Sequence, residues 1–183
     1  PDDLIKNFGA DTLRMYEMFL GPVEQFKPWN TKSINGVHNF LKKLWKFIHN
    51  SENELNVSKK APSIQEKKVL HKCIKKVTED FERFSFNTAV SALMICLNDL
   101  ISLKCNKRDI IEKFIILLSP YAPYICEEIW ESLGHLNSIH ESSWPIHNDD
   151  YLVETNFNYP VSFNGKMRFI LELNVNLSNK EIE

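Results

Sequence analysis

A mainly α protein is expected here, an antiparallel helical bundle followed by a C-terminal β-hairpin. Three observations carry this. Apolar residues recur at 3,4 spacing in several segments between residues 2 and 134. Capping residues, glycines and prolines punctuate those segments at the intervals that helix ends require. Beyond Gly134 the pattern switches to alternation around Asn164-Gly165, the two-residue turn that needs φ > 0 at both positions.

Asp2 to Phe8 reads as a short helix closed by Gly9. Asp11 is placed to cap the next helix by accepting from its free N–H groups. Leu13, Tyr16, Met18 and Leu20 supply its apolar content, and Gly21-Pro22 stops it. Lys27-Pro28-Trp29 is an extended X-Pro segment holding one cation beside an indole. From Asn30 or Thr31 a long helix reaches about Ile48, with Ile34, Val37, Leu41, Leu44, Trp45 and Ile48 on its buried face. The polar stretch from Asn50 to Pro62 is a loop. Ser63 and Glu66 then form a capping box, opening a helix that buries Leu70, Ile74, Val77, Phe81 and Phe84. Ser85 or Asn87 caps another, burying Val90, Leu93, Leu97 and Leu100. A further helix starts near Asp109 and is broken by Pro120 and Pro123 before resuming to Gly134. Four long amphipathic helices on short loops make an antiparallel bundle.

Residues 135–156 are polar and irregular, with Trp144-Pro145 as the anchor. The run VSFNGKMRFILEL then alternates as a hairpin, and Ser178 with Glu181 forms a second capping box. A lone hairpin cannot build a core, so this end is expected to be the truncated start of a further domain.

At 43% hydrophobic and 25% charged, the chain has an ordinary globular composition. No apolar run approaches the roughly 20 residues that span a bilayer, and no signal peptide is present. The four cysteines (Cys73, Cys96, Cys105 and Cys126) lack C-x-x-C spacing. Cys73, Cys96 and Cys126 sit where helices should bury them, so reduced structural thiols in the cytosol are expected, and no zinc site. The net charge of −2 hides an asymmetry. Seven lysines face one glutamate between Lys59 and Thr78, whereas Glu127 to Thr155 holds seven carboxylates and no Lys or Arg. A basic side that attracts polyanions and an acidic side follow from that contrast.

The ordered combination GADTLR, GP, EQ and KPW across Gly9–Trp29 resembles the segment joining the catalytic core of leucyl-tRNA synthetases to their helical tRNA-binding domain. GVHNFLKKLWKFI, FSFNTAVSALM, LLSPYAPYICEEIWESLG, SSWP and VSFNGKMR resemble later stretches of the bacterial-type enzymes, in the same order. Isoleucyl and valyl enzymes share the GAD-x-LR helix and the bundle more loosely. GPxEQxKPW and the late NGK-x-R hairpin favour the leucyl enzyme.

The resemblance divides the chain into the end of the catalytic core with its junction (1–30), the anticodon-binding bundle (31–134), a connector (135–156) and the start of a C-terminal tRNA-binding domain (157–183). It implies a parent class I ligase that uses ATP and Mg²⁺ to charge leucine tRNAs, monomeric and cytosolic, with catalytic and C-terminal domains as neighbours. The HIGH and KMSKS signatures do not occur in these residues, and Pro rather than Met stands first. A piece lying downstream of both signatures, without catalytic residues or cofactor of its own, is the expectation. His135, His140 and His147 with Glu141 lie in the irregular connector and are not read as a site. Glu127 and Glu128 are neighbours on a helix, where i,i+1 side chains do not face each other.

RNA contact is what remains. Lys32, Asn39, Lys42, Lys43 and Lys46 fall away from the apolar stripe of the Thr31–Ile48 helix, and no acid interrupts them. Such a face tracks phosphates while carrying little sequence information. The resemblance implies that this helix approaches the inner corner of tRNA, with basic residues common at the positions of Asn39 and Lys43. Lys43 keeps that chemistry, and Asn39 departs from it. Phe26 replaces a small polar residue common in the family. Lys27 joins the RNA-facing set, Arg14 is expected to form interdomain ion pairs, and Trp29 and Trp45 are expected to pack as core. Two other readings stay open: a stand-alone RNA-binding or protein-interaction module without catalysis, and the matching fragment of an isoleucyl or valyl enzyme.

Overall fold

The computed structural model describes residues 1–153 and 156–174. Among them, seven α-helices precede one antiparallel hairpin: α1 (Asp2–Phe8), α2 (Ala10–Phe19), α3 (Ile34–Ile48), α4 (Ile64–Glu82), α5 (Phe86–Ser102), α6 (Arg108–Leu118), α7 (Pro123–Ser132), β1 (Asn156–Phe163) and β2 (Lys166–Asn174). The chain divides into a helical unit, Pro1–Asn148, and a second unit, Asp149–Glu183. The expected mainly α bundle with a hairpin is what the chain forms.

Core positions follow the helical period closely. In α3, Ile34, Val37, Leu41, Leu44 and Ile48 are buried, as is Phe40. Trp45 is only half-buried. It stacks on His49 with ring centroids 3.9 Å apart and donates its indole N–H to Asn53. The α4–α5 pair interlocks Leu70, Ile74 and Val77 with Val90, Leu93, Leu97 and Leu100, all fully buried. All four cysteines are free and buried. Burial holds the Cys126 thiol well above its usual range, and burial lifts Cys105 to about 12.

Several expectations are corrected. In α2 the buried apolar residues are Met15 and Tyr16, with Asp11 and Thr12 also buried, while Met18 is exposed. The packed face is rotated because α2 is gripped between α3 and α5. Phe84 is exposed and sits beyond the end of α4 at φ 55, where its ring meets Phe86 edge-on. The long helix begins at Ile34 and not at Asn30 or Thr31. Asn30 explains the delay. Its side chain accepts from the Lys32 N–H, and its carbonyl accepts from the Tyr16 hydroxyl (2.6 Å) and the Ser33 N–H. The chain is therefore committed to a turn before it can become helix. Ser85 holds the cap position of α5, but its side chain makes no capping bond.

The Ser63/Glu66 capping box forms in full. The Ser63 hydroxyl accepts from the Glu66 N–H (3.2 Å), and the Glu66 carboxylate accepts from the Ser63 N–H (2.6 Å). Burial pushes the Glu66 carboxyl up, but the Ser63 N–H, the Cys105 thiol, the Ser63 hydroxyl and the Lys107 charge together hold it below its usual value. Ser63→Ala is expected to cost about 1 kcal/mol, read from the shift in urea midpoint at unchanged slope.

Trp144 does anchor the connector. It lies edge-on to Phe81 and donates its indole N–H to the Thr78 hydroxyl (2.9 Å). Glu127 anchors the same segment by accepting from the Ser138 hydroxyl and the Ile139 N–H. His135 lies flat on Trp130, 3.6 Å between centroids, and meets the Glu112 carboxylate at 2.7 Å.

In the second unit, Asn164 (φ 52) and Gly165 (φ 72) form the two-residue turn, with Phe163 paired to Lys166. A bulge shifts the register between Val161 and Ser162, so Val161 pairs with Phe169. The Ser178/Glu181 capping box lies outside the described residues.

Candidate nucleic-acid interface

The exposed face of α3 is built by subtraction. Its apolar stripe is locked into the bundle, so Asn39, Lys43 and Lys46 must point outward, and all three are exposed. Their spacing of four and three residues keeps them on one face, roughly one turn apart. No carboxylate occurs in α3. Lys43 does not hang free. Its ammonium donates to the Asn98 side chain on α5 (2.9 Å), which holds the charge over the α3–α5 seam.

The remaining candidates separate from this row. Lys42 is exposed on the other flank of α3, beside a recess of about 440 Å³ that reaches Thr12, His38 and Tyr124. Lys32 is exposed in the turn before α3 and so is not on the helix. Lys27 folds its aliphatic stem across Gly21. A Cβ added there would lie 2.6 Å from Lys27 Cε, and Gly21 already sits at φ 154.

Around the junction, Trp29 is 44% exposed and not core as expected. It packs edge-on against Tyr16 at 5.0 Å and donates its indole N–H to Thr31. Phe26, three residues earlier, stands 94% exposed. The bond found for Arg14 is not an ion pair: its guanidinium donates to the Pro120 carbonyl (3.3 Å) beyond the end of α6, within the helical unit. Among the described residues, no group of three or more His, Cys, Asp or Glu is placed to hold a metal ion, and ATP and Mg²⁺ are assigned to no residue here.

Sequence reasoning missed what Asp11 does. It lies within α2, and its carboxylate accepts from the Tyr124 N–H (3.2 Å) and the Ile125 N–H (2.7 Å) of α7. Pro123 is the first residue of α7, and Ala122 before it has no side-chain oxygen to offer. Asp11 thus caps a helix more than a hundred residues away, and Arg14 lies close enough to favour its charge. The missing cap at Ala122 was the only signal in the sequence. Sequence reasoning also missed the partner of Lys43 across the seam, Asn98 on α5, and the recess that Lys43 lines together with Lys104 and Asn106.

Comparison with known proteins places this geometry in a family. A family model described as the anticodon-binding domain of tRNA ligase matches residues 67–183. Over all 183 residues the chain is 57% identical to the leucine–tRNA ligase of Christiangramia forsetii, 56% to that of Flavobacterium johnsoniae and 51% to that of Bacteroides thetaiotaomicron. It covers 19% of each, so it spans about a fifth of the length of the curated relatives it matches. Among solved structures, the ternary complex of Agrobacterium radiobacter K84 LeuRS with tRNA and LeuAMS superposes with a TM-score of 0.76 at 27% identity, covering 100% of this chain and 26% of that one. The acid-free helical face and the bundle that presents it thus belong to a member of the anticodon-binding domain family of tRNA ligases, one that aligns along its entire length with leucine–tRNA ligases.

Proposed function

We propose that this chain is the tRNA-gripping portion of a leucine–tRNA ligase, holding tRNA by its phosphate backbone while the longer protein charges it with leucine. The observation that carries the reading is the row Asn39, Lys43 and Lys46, exposed on a helix without carboxylates. Two ammonium groups one turn apart suit successive phosphates of a duplex strand, and the Asn39 amide adds a hydrogen-bond donor without releasing a counterion. Lys27 and Lys32, exposed just before α3, extend the same basic approach. Lys42, one turn from Asn39 and Lys46, widens the row on its other edge. Similarity to a LeuRS captured with tRNA supports the partner, and 50–57% identity to leucine–tRNA ligases supports the leucine isoacceptors.

In this reading the chain does no chemistry. ATP and Mg²⁺ serve adenylation by the parent's catalytic core, and the parent works as a cytosolic monomer. Shape and backbone recognition predicts steep salt dependence. The log–log slope of tRNA affinity against salt is expected to become shallower by about 0.9 in Lys43→Ala, taking the B-DNA figure for one phosphate contact. Fluorescence anisotropy of labelled tRNA across a KCl series measures it. An unchanged slope and affinity would remove the α3 face from the interface.

A further inference from the structure

We propose that the RNA site is a two-walled cleft, its second wall supplied by Lys104 in the α5–α6 loop, which contacts a backbone phosphate opposite Lys43 and Lys46. This rests on the reading of α3 as a tRNA-facing helix. A recess of about 400 Å³ separates α3 from that loop. Lys43 and Lys46 stand on one side, Lys104 and Asn106 on the other, and Asn56 comes from the α3–α4 loop. Phe47 and Ile101 form an apolar floor, and no carboxylate lines the recess. Three lysines around one recess with apolar residues and no carboxylate favour an anion, because nothing in the lining offers a counter-charge.

The backbone of Lys104 is the second observation. Lys104 sits at φ 52, just beyond the end of α5. Its N–H donates to the Ile101 carbonyl and the Cys105 N–H to the Leu100 carbonyl, both at 2.9 Å, which is a Schellman closure. Glycine is the ordinary occupant of that position, and Asn is the residue type that otherwise tolerates it. Among the described residues, the other non-glycine positions at positive φ are Asn53, Phe84 and Asn164. Phe84 closes α4 in the same way, and its ring meets Phe86. Lys104 is exposed, and its side chain makes no hydrogen bond or ion pair among the described residues. A long cation is thus held in a left-handed position where glycine would close the helix more easily, and it points into a recess already flanked by two lysines. An RNA phosphate is the ligand that matches this charge and the neighbouring α3 row.

Lys104→Gly removes the charge while easing the backbone, so folding is preserved and binding is read cleanly. In the 183-residue chain, the urea midpoint of Lys104→Gly is expected to match or exceed the unsubstituted protein. Affinity for leucine tRNA is expected to fall roughly eightfold at 0.1 M salt, with a slope shallower by about 0.9. Lys104→Asn, also suited to the left-handed backbone, should repeat the result. If both variants bind with unchanged affinity and slope while Lys43→Ala/Lys46→Ala loses both, Lys104 merely closes α5 and the second wall is wrong. If the Lys43/Lys46 variant also binds unchanged, the α3 reading itself falls.

Discussion

Asp11→Ala is expected to destabilise the helical unit by about 2–3 kcal/mol, a loss that no feature of residues 10–19 would suggest. The wild-type carboxylate satisfies the Tyr124 and Ile125 N–H groups at the start of α7. These are the donors that a helix cannot satisfy internally. Truncation leaves both without an acceptor and withdraws a negative charge from the positive end of α7. A local cap costs about 1 kcal/mol. This one also ties α2 to α7, so its loss loosens a tertiary contact as well. For a chain of this size the thermal midpoint should drop by roughly 5–10 °C. Asp11→Asn keeps one acceptor oxygen and should lose about half as much.

The pH dependence has a definite sign. Burial pushes the Asp11 carboxyl above its ordinary 3.8, outweighing the two N–H bonds and Arg14, which pull the other way. Between 3.8 and the raised native value, the folded state holds a proton that the unfolded state has released. This group's contribution therefore favours folding below that window and declines as pH rises through it, then stays level. The stability difference between wild type and Asp11→Asn, taken from urea midpoints between about pH 3 and pH 7, should follow that descent. A difference that instead grows with pH would mean that the hydrogen bonds dominate the burial cost.

Charge reversal on α3 should produce the largest functional effect. Lys43→Glu/Lys46→Glu is expected to weaken leucine tRNA binding about a hundredfold at 0.1 M salt. Two lost phosphate contacts account for most of that figure, and repulsion adds the remainder. Lys42→Glu is the matched control. It changes charge on the same helix, one turn from Lys46 and beside the recess that reaches Thr12 and Tyr124. About tenfold is expected for Lys42→Glu, because one phosphate contact is lost instead of two. Equal losses for the two variants would show that net charge, and not the Lys43–Lys46 face, governs binding. Folding should be little affected, since the Lys43 bond to Asn98 is exposed.

Much of this molecule was legible before any coordinates. The stripe Ile34, Val37, Leu41, Leu44 and Ile48 announced both a helix and its buried face, because one period controls local structure and partition from water together. Ser63 and Glu66 announced a helix start, since their bonds span three residues. Asn164-Gly165 announced the hairpin for an equally local reason. The lysines of α3 could be placed outward because the apolar positions left them no other direction.

Errors arose wherever a residue's role depends on a neighbour distant along the chain. Asp11 looked like the cap of its own helix and is the cap of α7. Asn30 looked like the beginning of α3, but Tyr16 holds its carbonyl in a turn. Met15 is buried and Met18 exposed because α3 and α5 together choose which side of α2 faces inward. Periodicity reports that a face is covered without naming what covers it, and a charge pattern gives the sign of a partner without the shape of its site. The amino-acid order thus establishes the helices, the hairpin and an α3 face of lysines without carboxylates. Helix packing sets Lys43 across from Lys104 and Asp11 beneath α7, since only packing brings donors and acceptors separated by tens of residues within 3 Å.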